Sequence, residues 1–181
     1  MSKRATVVVD LQNDYLETGK MPLQGIDAAV ANAGRLIAAA RERGEPVIHV
    51  RHEFTSADAP FFVAGSEGSR IVPALTPAGG ETTLTKHHPN SFHDGALDAH
   101  LKSLGVEDVV IVGAMSHMCI DATTRAAADS GYNVTVIHDA CAAPDVEFGG
   151  VSVPGAQVHA AMMAALAFAY AKVVSADEHI G

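Results

Sequence analysis

Six short apolar runs rich in β-branched residues, each separated from the next by a segment too long for a hairpin, constrain this chain more than any other feature. They are Ala5 to Asp10, Pro46 to Arg51, Thr82 to Lys86, Asp108 to Ala114, Asn133 to Asp139 and Lys172 to Ala176. Their lack of apolar/polar alternation is the pattern of strands buried on both faces, as in parallel sheets. Ala-rich segments with helical spacing lie between most of them. One runs from Asp27, placed as an N-cap, through Val30, Ala33, Leu36, Ile37 and Ala40 to a stop at Gly44; another covers Cys119 to Ser130 and ends at Gly131. A third follows Pro154 through Val158, Met162, Leu166 and Phe168. Strands alternating with helices predict one α/β domain over 1–181, a parallel sheet covered on both sides. Residues 53–80 carry no period and are rich in Gly, Pro, Ser and aromatic residues, which marks a long functional excursion.

In an open parallel sheet, ligands bind beyond the carboxyl ends of the strands, near the point where strand order reverses. Residues that end strands are therefore the candidates for chemistry. Asp10 ends the first run, Lys86 ends the third, and Cys119 follows the fourth in the stretch "GAMSHMCIDATTR". A thiol becomes a good nucleophile when ionised, and a helix N-terminus or a nearby cation lowers its pKa. The expectation is that Lys86 supplies the cation, that Asp10 takes the thiol proton and returns it to a leaving amine, and that the first helical turn offers N–H groups to an oxyanion. Together these parts make an amide hydrolase. Cys141, within "HDACAAPD", reads as buried filler.

A formal net charge of −9 and the absence of a basic stretch argue against nucleic acid or anionic lipid as partners. The apolar run before Asp10 is too short for a signal or a membrane span, so a cytoplasmic protein with reduced thiols is expected. Its partner is expected to be a small molecule.

The stretches "VVVDLQNDYL" and "VIVGAMSHMCIDATTRAAADSGYNVTVIHDACAA", with a Lys at the end of the third strand and "SF" shortly after, resemble the isochorismatase-like cysteine hydrolases. That group includes nicotinamidases and other small-amide hydrolases. The resemblance implies a Rossmann-like three-layer α-β-α sandwich on a six-stranded parallel sheet and an Asp-Lys-Cys triad, here Asp10, Lys86 and Cys119. It also implies a cis peptide from Ala114 to Met115, an oxyanion hole from the Met115 and Cys119 amides, and a dimer or larger homo-oligomer. Isochorismatases proper, which cleave a vinyl ether, typically lack the Cys, so its presence favours a C–N bond and a thioester route. A vinyl ether hydrolase and a catalytically silent binding protein of the same fold are the alternatives.

Nicotinamidases carry an Asp-x-His metal pattern after the second strand. Here the stretch is "HVRHEF", with Val50 where the Asp would stand, so no metal or other cofactor is expected. Expected to line the substrate site are His52, Phe62, Phe92, Ala114 and His117, while Gln12, Asn13, Asp14 and Tyr15 are read as loop support. A flavin or dinucleotide enzyme would share the alternation of strands and helices, but the first strand leads into "DLQNDYL" with no Gly-rich phosphate loop.

Overall fold

The computed structural model describes residues 3–181. Its main sheet has six parallel strands: β1 (Lys3–Val9), β2 (Val47–His52), β3 (Thr82–Lys86), β4 (Val106–Ala114), β5 (Asn133–Ala142) and, last in chain order, β8 (Lys172–Val174). Their spatial order is β3-β2-β1-β4-β5-β8. Order therefore reverses between β1 and β4, and this is where the carboxyl ends open a crevice. The helices are α1 (Ile26–Glu42), α2 (Ala96–Ser103), α3 (Asp121–Asp129), α4 (Gly155–Ala169) and α5 (Ala176–Ile180). On one side of the sheet α1 buries Ala29, Ala33, Leu36 and Ile37 in a cluster with Val8, Val110, Val112 and, from α5, Ala176. On the other, Leu97 and Leu101 of α2, Ala127 of α3, and Met163 and Leu166 of α4 join Val7, Val9, Ile48, Val109 and Ile111. Successive strand residues feed opposite clusters, so the predicted three-layer α-β-α sandwich is the fold observed.

Several local expectations are corrected. Helix α1 starts one residue before Asp27 and is entered through Gly25, whose φ of 74° suits a residue without a side chain; Asp27 lies in the first turn. Strand β5 runs on to Ala142 through an irregularity: β4 advances from Ile111 to Gly113 while its partners jump from Val136 to Cys141. The unpaired residues are used elsewhere, since the Asp139 carbonyl accepts from Asn32 Nδ2 and its carboxylate from the Ala176 N–H. Helix α2 and the antiparallel hairpin β6 (Val146–Phe148) and β7 (Val151–Val153) carry too few residues for periodicity to reveal them.

Gly113 shows how closely β1 and β4 approach at the crevice. It pairs with Val9 and has a φ of 133°; a Cβ built there would lie 1.9 Å from the Val9 carbonyl oxygen. That neighbour is backbone and has nowhere to go. Gly113→Ala is therefore expected to cost about 4 kcal/mol or more, read as a fall in the denaturant midpoint with little change in slope.

Candidate active site

Each candidate residue reaches the crevice by its position at a strand end. Asp10 follows β1 directly, with a φ of 54°, a left-handed conformation that Asp tolerates better than most side chains. Its N–H bonds the Val50 carbonyl at 2.9 Å, which ties it to the next strand. Lys86 closes β3, and its register partner on β2 is His52. Because β2 lies between β3 and β1, the lysine chain must cross the end of β2 to reach Asp10. It does so: Lys86 Nζ lies 2.7 Å from Asp10 Oδ2, 3.3 Å from Cys119 Sγ and 3.2 Å from His52 Nδ1.

An ammonium has three protons and no acceptor capacity, so these three contacts occupy it fully. All four groups are withdrawn from water, with 0% exposure at Asp10, 4% at Lys86, 5% at His52 and 6% at Cys119. The contact fixes the His52 tautomer as well: Nδ1 accepts from the lysine, so the proton sits on Nε2. That nitrogen is a buried donor whose partner within the described residues is at most a weak contact with the His88 backbone.

Burial dominates the protonation states. It raises the Asp10 carboxyl above its ordinary range despite the attraction of Lys86. Burial alone would lower Lys86, but the charge of Asp10, with the hydrogen bonds to Asp10 and Cys119, outweighs it and the lysine stays protonated. Burial, reinforced by the negative charge of Asp10, raises the Cys119 thiol. The thiol depression expected from the sequence is thus reversed at rest. Desolvation beats the cation and the helix end, and the resting sulfur carries its proton within range of the Asp10 carboxylate.

The segment around the sulfur also differs from expectation. Helical geometry begins at Ser116 rather than at Cys119, and residues Ser116–Ile120 form a π turn in which the Ile120 N–H reaches back five residues to the Met115 carbonyl. Such turns widen a helix by one residue and recur at functional sites. The Ala114–Met115 bond is cis, as the resemblance implies. Ser116 is buried, and its hydroxyl contacts both the Ala142 carbonyl at 3.1 Å and His159 Nδ1 at 2.8 Å, locking the turn to β5 and α4.

Of the expected pocket residues, His52 enters the polar cluster, Phe92 is half-buried against the core cluster that contains Cys119, and His117 is half-buried with an unpartnered Nδ1. Phe62 and Ala114 do not line a pocket with their side chains, as both have 0% exposure. The Phe62 ring is plugged between Tyr15 at 4.6 Å and Phe61 at 5.0 Å, and its N–H donates to Asp14. Ala114 is packed into the α1 side of the core. Met118, absent from the expected pocket residues, is 40% exposed beside the nucleophile candidate, and its apolar type next to Cys119 is the sequence signal for it. The "QNDY" turn does act as support. Gln12 Nε2 donates to the carbonyls of His52 and Ser69, and its Oε1 accepts from the His52 N–H at 2.7 Å.

Residues 4–178 match the isochorismatase domain family. The chain belongs to the isochorismatase family. Among solved structures, an isochorismatase hydrolase candidate from Oleispira antarctica is 52% identical, covers 99% of this chain and 96% of its own, and superposes with a TM-score of 0.95. The uncharacterized isochorismatase family protein YddQ of Bacillus subtilis is 42% identical over 96% of both chains. More distant family members carry named activities. N-carbamoylsarcosine amidase from Thermoplasma acidophilum is 25% identical over 97% of each chain with a TM-score of 0.82. Ureidoacrylate amidohydrolase RutB of Variovorax paradoxus is 24% identical, covering 87% of this chain and 74% of its own. This isochorismatase-family hydrolase therefore has relatives that act on amide and ureide bonds.

The metal that the resemblance associates with nicotinamidases does not fit these residues. Val50, in the place of the Asp, is 2% exposed within the core, and His52 Nδ1 is taken by Lys86.

Buried imidazoles give the family member a definite acid response. Burial, with help from Lys86, lowers His52 from 6.5 to about 4, and burial lowers His49, His117 and His159 as well. A base with a lowered folded pKa loses stability as pH falls, because the unfolded chain takes up the proton first. From His52 alone the loss between about pH 6.5 and pH 4 approaches roughly 3 kcal/mol. Glu81, held down to about 2 by Arg41, extends the decline below about 4.5, whereas Asp10, shifted upward, opposes it. Calorimetric melting temperatures are expected to drop steadily across this range.

Proposed function

We propose that the protein is a cysteine hydrolase of a small amide or ureide C–N bond, acting through a thioester on Cys119. The observation that carries this reading is the single ammonium of Lys86, 2.7 Å from a carboxylate and 3.3 Å from a sulfur that come from three different strand ends. In the first step the Cys119 S–H proton passes to Asp10 as sulfur bonds to the substrate carbonyl carbon. The carbonyl π electrons move to oxygen, where the amides of Met115 and Cys119 receive the oxyanion. Collapse re-forms C=O and breaks C–N, and the proton held by Asp10 goes to the departing nitrogen. Water then attacks the thioester, giving a proton to Asp10, and the sulfur leaves and is reprotonated from the same carboxyl.

Both pKa directions serve this cycle. A carboxyl whose pKa is raised toward neutrality exchanges protons with thiol and amine more readily than an ordinary one. A thiolate formed only during attack is stabilised by Lys86 without having to be stored at rest. The Nε2–H of His52, beside the triad, offers a donor to an oxygen or ring nitrogen of the substrate, and the amidase and ureidoacrylate amidohydrolase relatives fit an amide or ureide ligand. The test is an ammonia-release screen over small amides and ureides, run with wild type beside Cys119→Ser and with and without a chelator. Turnover that disappears in the variant and survives the chelator supports the reading. Turnover retained by the variant refutes it.

A further inference from the structure

The loop from β3 to α2 contains a group of side chains that the proposed reaction does not use. His88, His93 and Asp94 are all exposed, yet one donor atom from each lies within 4.8 Å of the other two. The two imidazole rings lie 3.8 Å apart, centroid to centroid, with their planes inclined by 35°. Burial does not hold them there. The backbone does: the His93 N–H bonds the Asn90 carbonyl, the Gly95 N–H bonds the Phe92 carbonyl, and the Phe92 N–H bonds Asn90 Oδ1 at 2.8 Å. Ser91, at the centre of the loop, is buried, and both its N–H and its hydroxyl meet Thr123 Oγ1 of α3 at 3.1 and 2.9 Å. The loop is therefore folded back and anchored before any ligand arrives. Among the described residues no cation pairs with Asp94, so the one negative charge of the group is not neutralised within the protein.

We propose that His88, His93 and Asp94 form a binding site for a borderline divalent cation of the zinc type, which clasps the two ends of this loop. Two imidazoles and one carboxylate are a donor set that suits Zn²⁺ and its neighbours rather than Ca²⁺ or Mg²⁺, and three protein ligands leave a position for water. With metal–ligand bonds near 2.0–2.1 Å, the donors of a tetrahedral site stand about 3.4 Å apart. The three atoms need to close by little more than about 1 Å, within the reach of exposed side-chain rotamers. The site lies outside the Asp-x-His position discussed above and uses none of its residues. It is also independent of the thioester reading. Its consequence is mechanical: His88 is two residues from Lys86, Phe92 packs toward the cluster holding Cys119, and Thr123 lies four residues past that cysteine. A clasp between residues 88 and 93 stiffens the segment joining the lysine to the nucleophile helix.

The test uses full-length, tag-free protein and the metals alone. Titration with Co²⁺ should give one saturable site with visible d–d absorption, displaced by Zn²⁺, and Zn²⁺ should slow hydrogen exchange over residues 87–95. His93→Ala and the conservative Asp94→Asn should each weaken binding at least tenfold, while His100→Ala, outside the group, should leave it unchanged. No saturable binding, or equal binding in wild type and both loop variants, overturns the proposal. Because the readouts are spectroscopic and exchange-based, they stand whether or not Cys119 proves to be the nucleophile.

Discussion

Cys119→Ala is expected to abolish turnover, by a factor on the order of 10⁴ to 10⁶ in kcat, while leaving the fold in place. In the proposed cycle the sulfur is the group that bonds to substrate carbon, and the other residues act through it. Its removal leaves a small gap, and Lys86 still has Asp10 and His52 as acceptors. The stability change should therefore stay within about 1–2 kcal/mol, the scale of one lost buried hydrogen bond. Cys119→Ser should be almost as inactive, because a hydroxyl buried beside a carboxylate ionises far less readily than a thiol. The comparison to make is steady-state turnover beside an unfolding curve for each variant. Low activity with an intact curve separates chemistry from folding.

Lys86→Met is expected to damage both. Removing one partner of a buried ion pair commonly costs about 3–5 kcal/mol, because the other charge stays behind without compensation. Here that charge is Asp10, which has no exposure and a pKa already raised by burial. Without the lysine nothing opposes the burial that raises the Asp10 carboxyl, so it is a misplaced base, and the thiolate loses its counter-charge. Activity should fall by about 10³ or more. The double variant Lys86→Met/Asp10→Asn discriminates the two effects. It removes the orphaned charge and should regain most of the lost stability, yet recover none of the turnover. If the double variant is no more stable than the single, the lysine holds the fold through something other than Asp10.

The strand-end logic was readable from the chain because it depends only on order and period. Apolar runs fixed where β1, β3 and β4 stop, and Asp10, Lys86 and Cys119 stand at or after those stops. That they meet depends on the order β3-β2-β1-β4, which requires a lysine chain to span the end of β2. Its third contact, to His52, was not readable, since spacing carries no information about which nitrogen of an imidazole faces a neighbour. The direction of the Cys119 shift is not legible in the sequence for a related reason. Charge and helix position are visible in sequence, whereas the desolvation that outweighs them exists only after packing. The irregular segment around Phe62 suggests a pocket residue, but Asp14 binds its backbone and its ring enters the Tyr15 and Phe61 stack. The π turn is likewise a product of context, since "SHMCI" has no local signature that separates five-residue from four-residue bonding.

The most direct test of the central claim is intact-protein mass spectrometry on acid-quenched reactions with any amide or ureide the protein turns over. The account predicts a transient adduct equal to the acyl portion of the substrate, mapped by proteolysis to Cys119, absent in Cys119→Ala and destroyed by hydroxylamine. Full turnover with no acyl adduct under single-turnover conditions, or an adduct on any other residue, would contradict it.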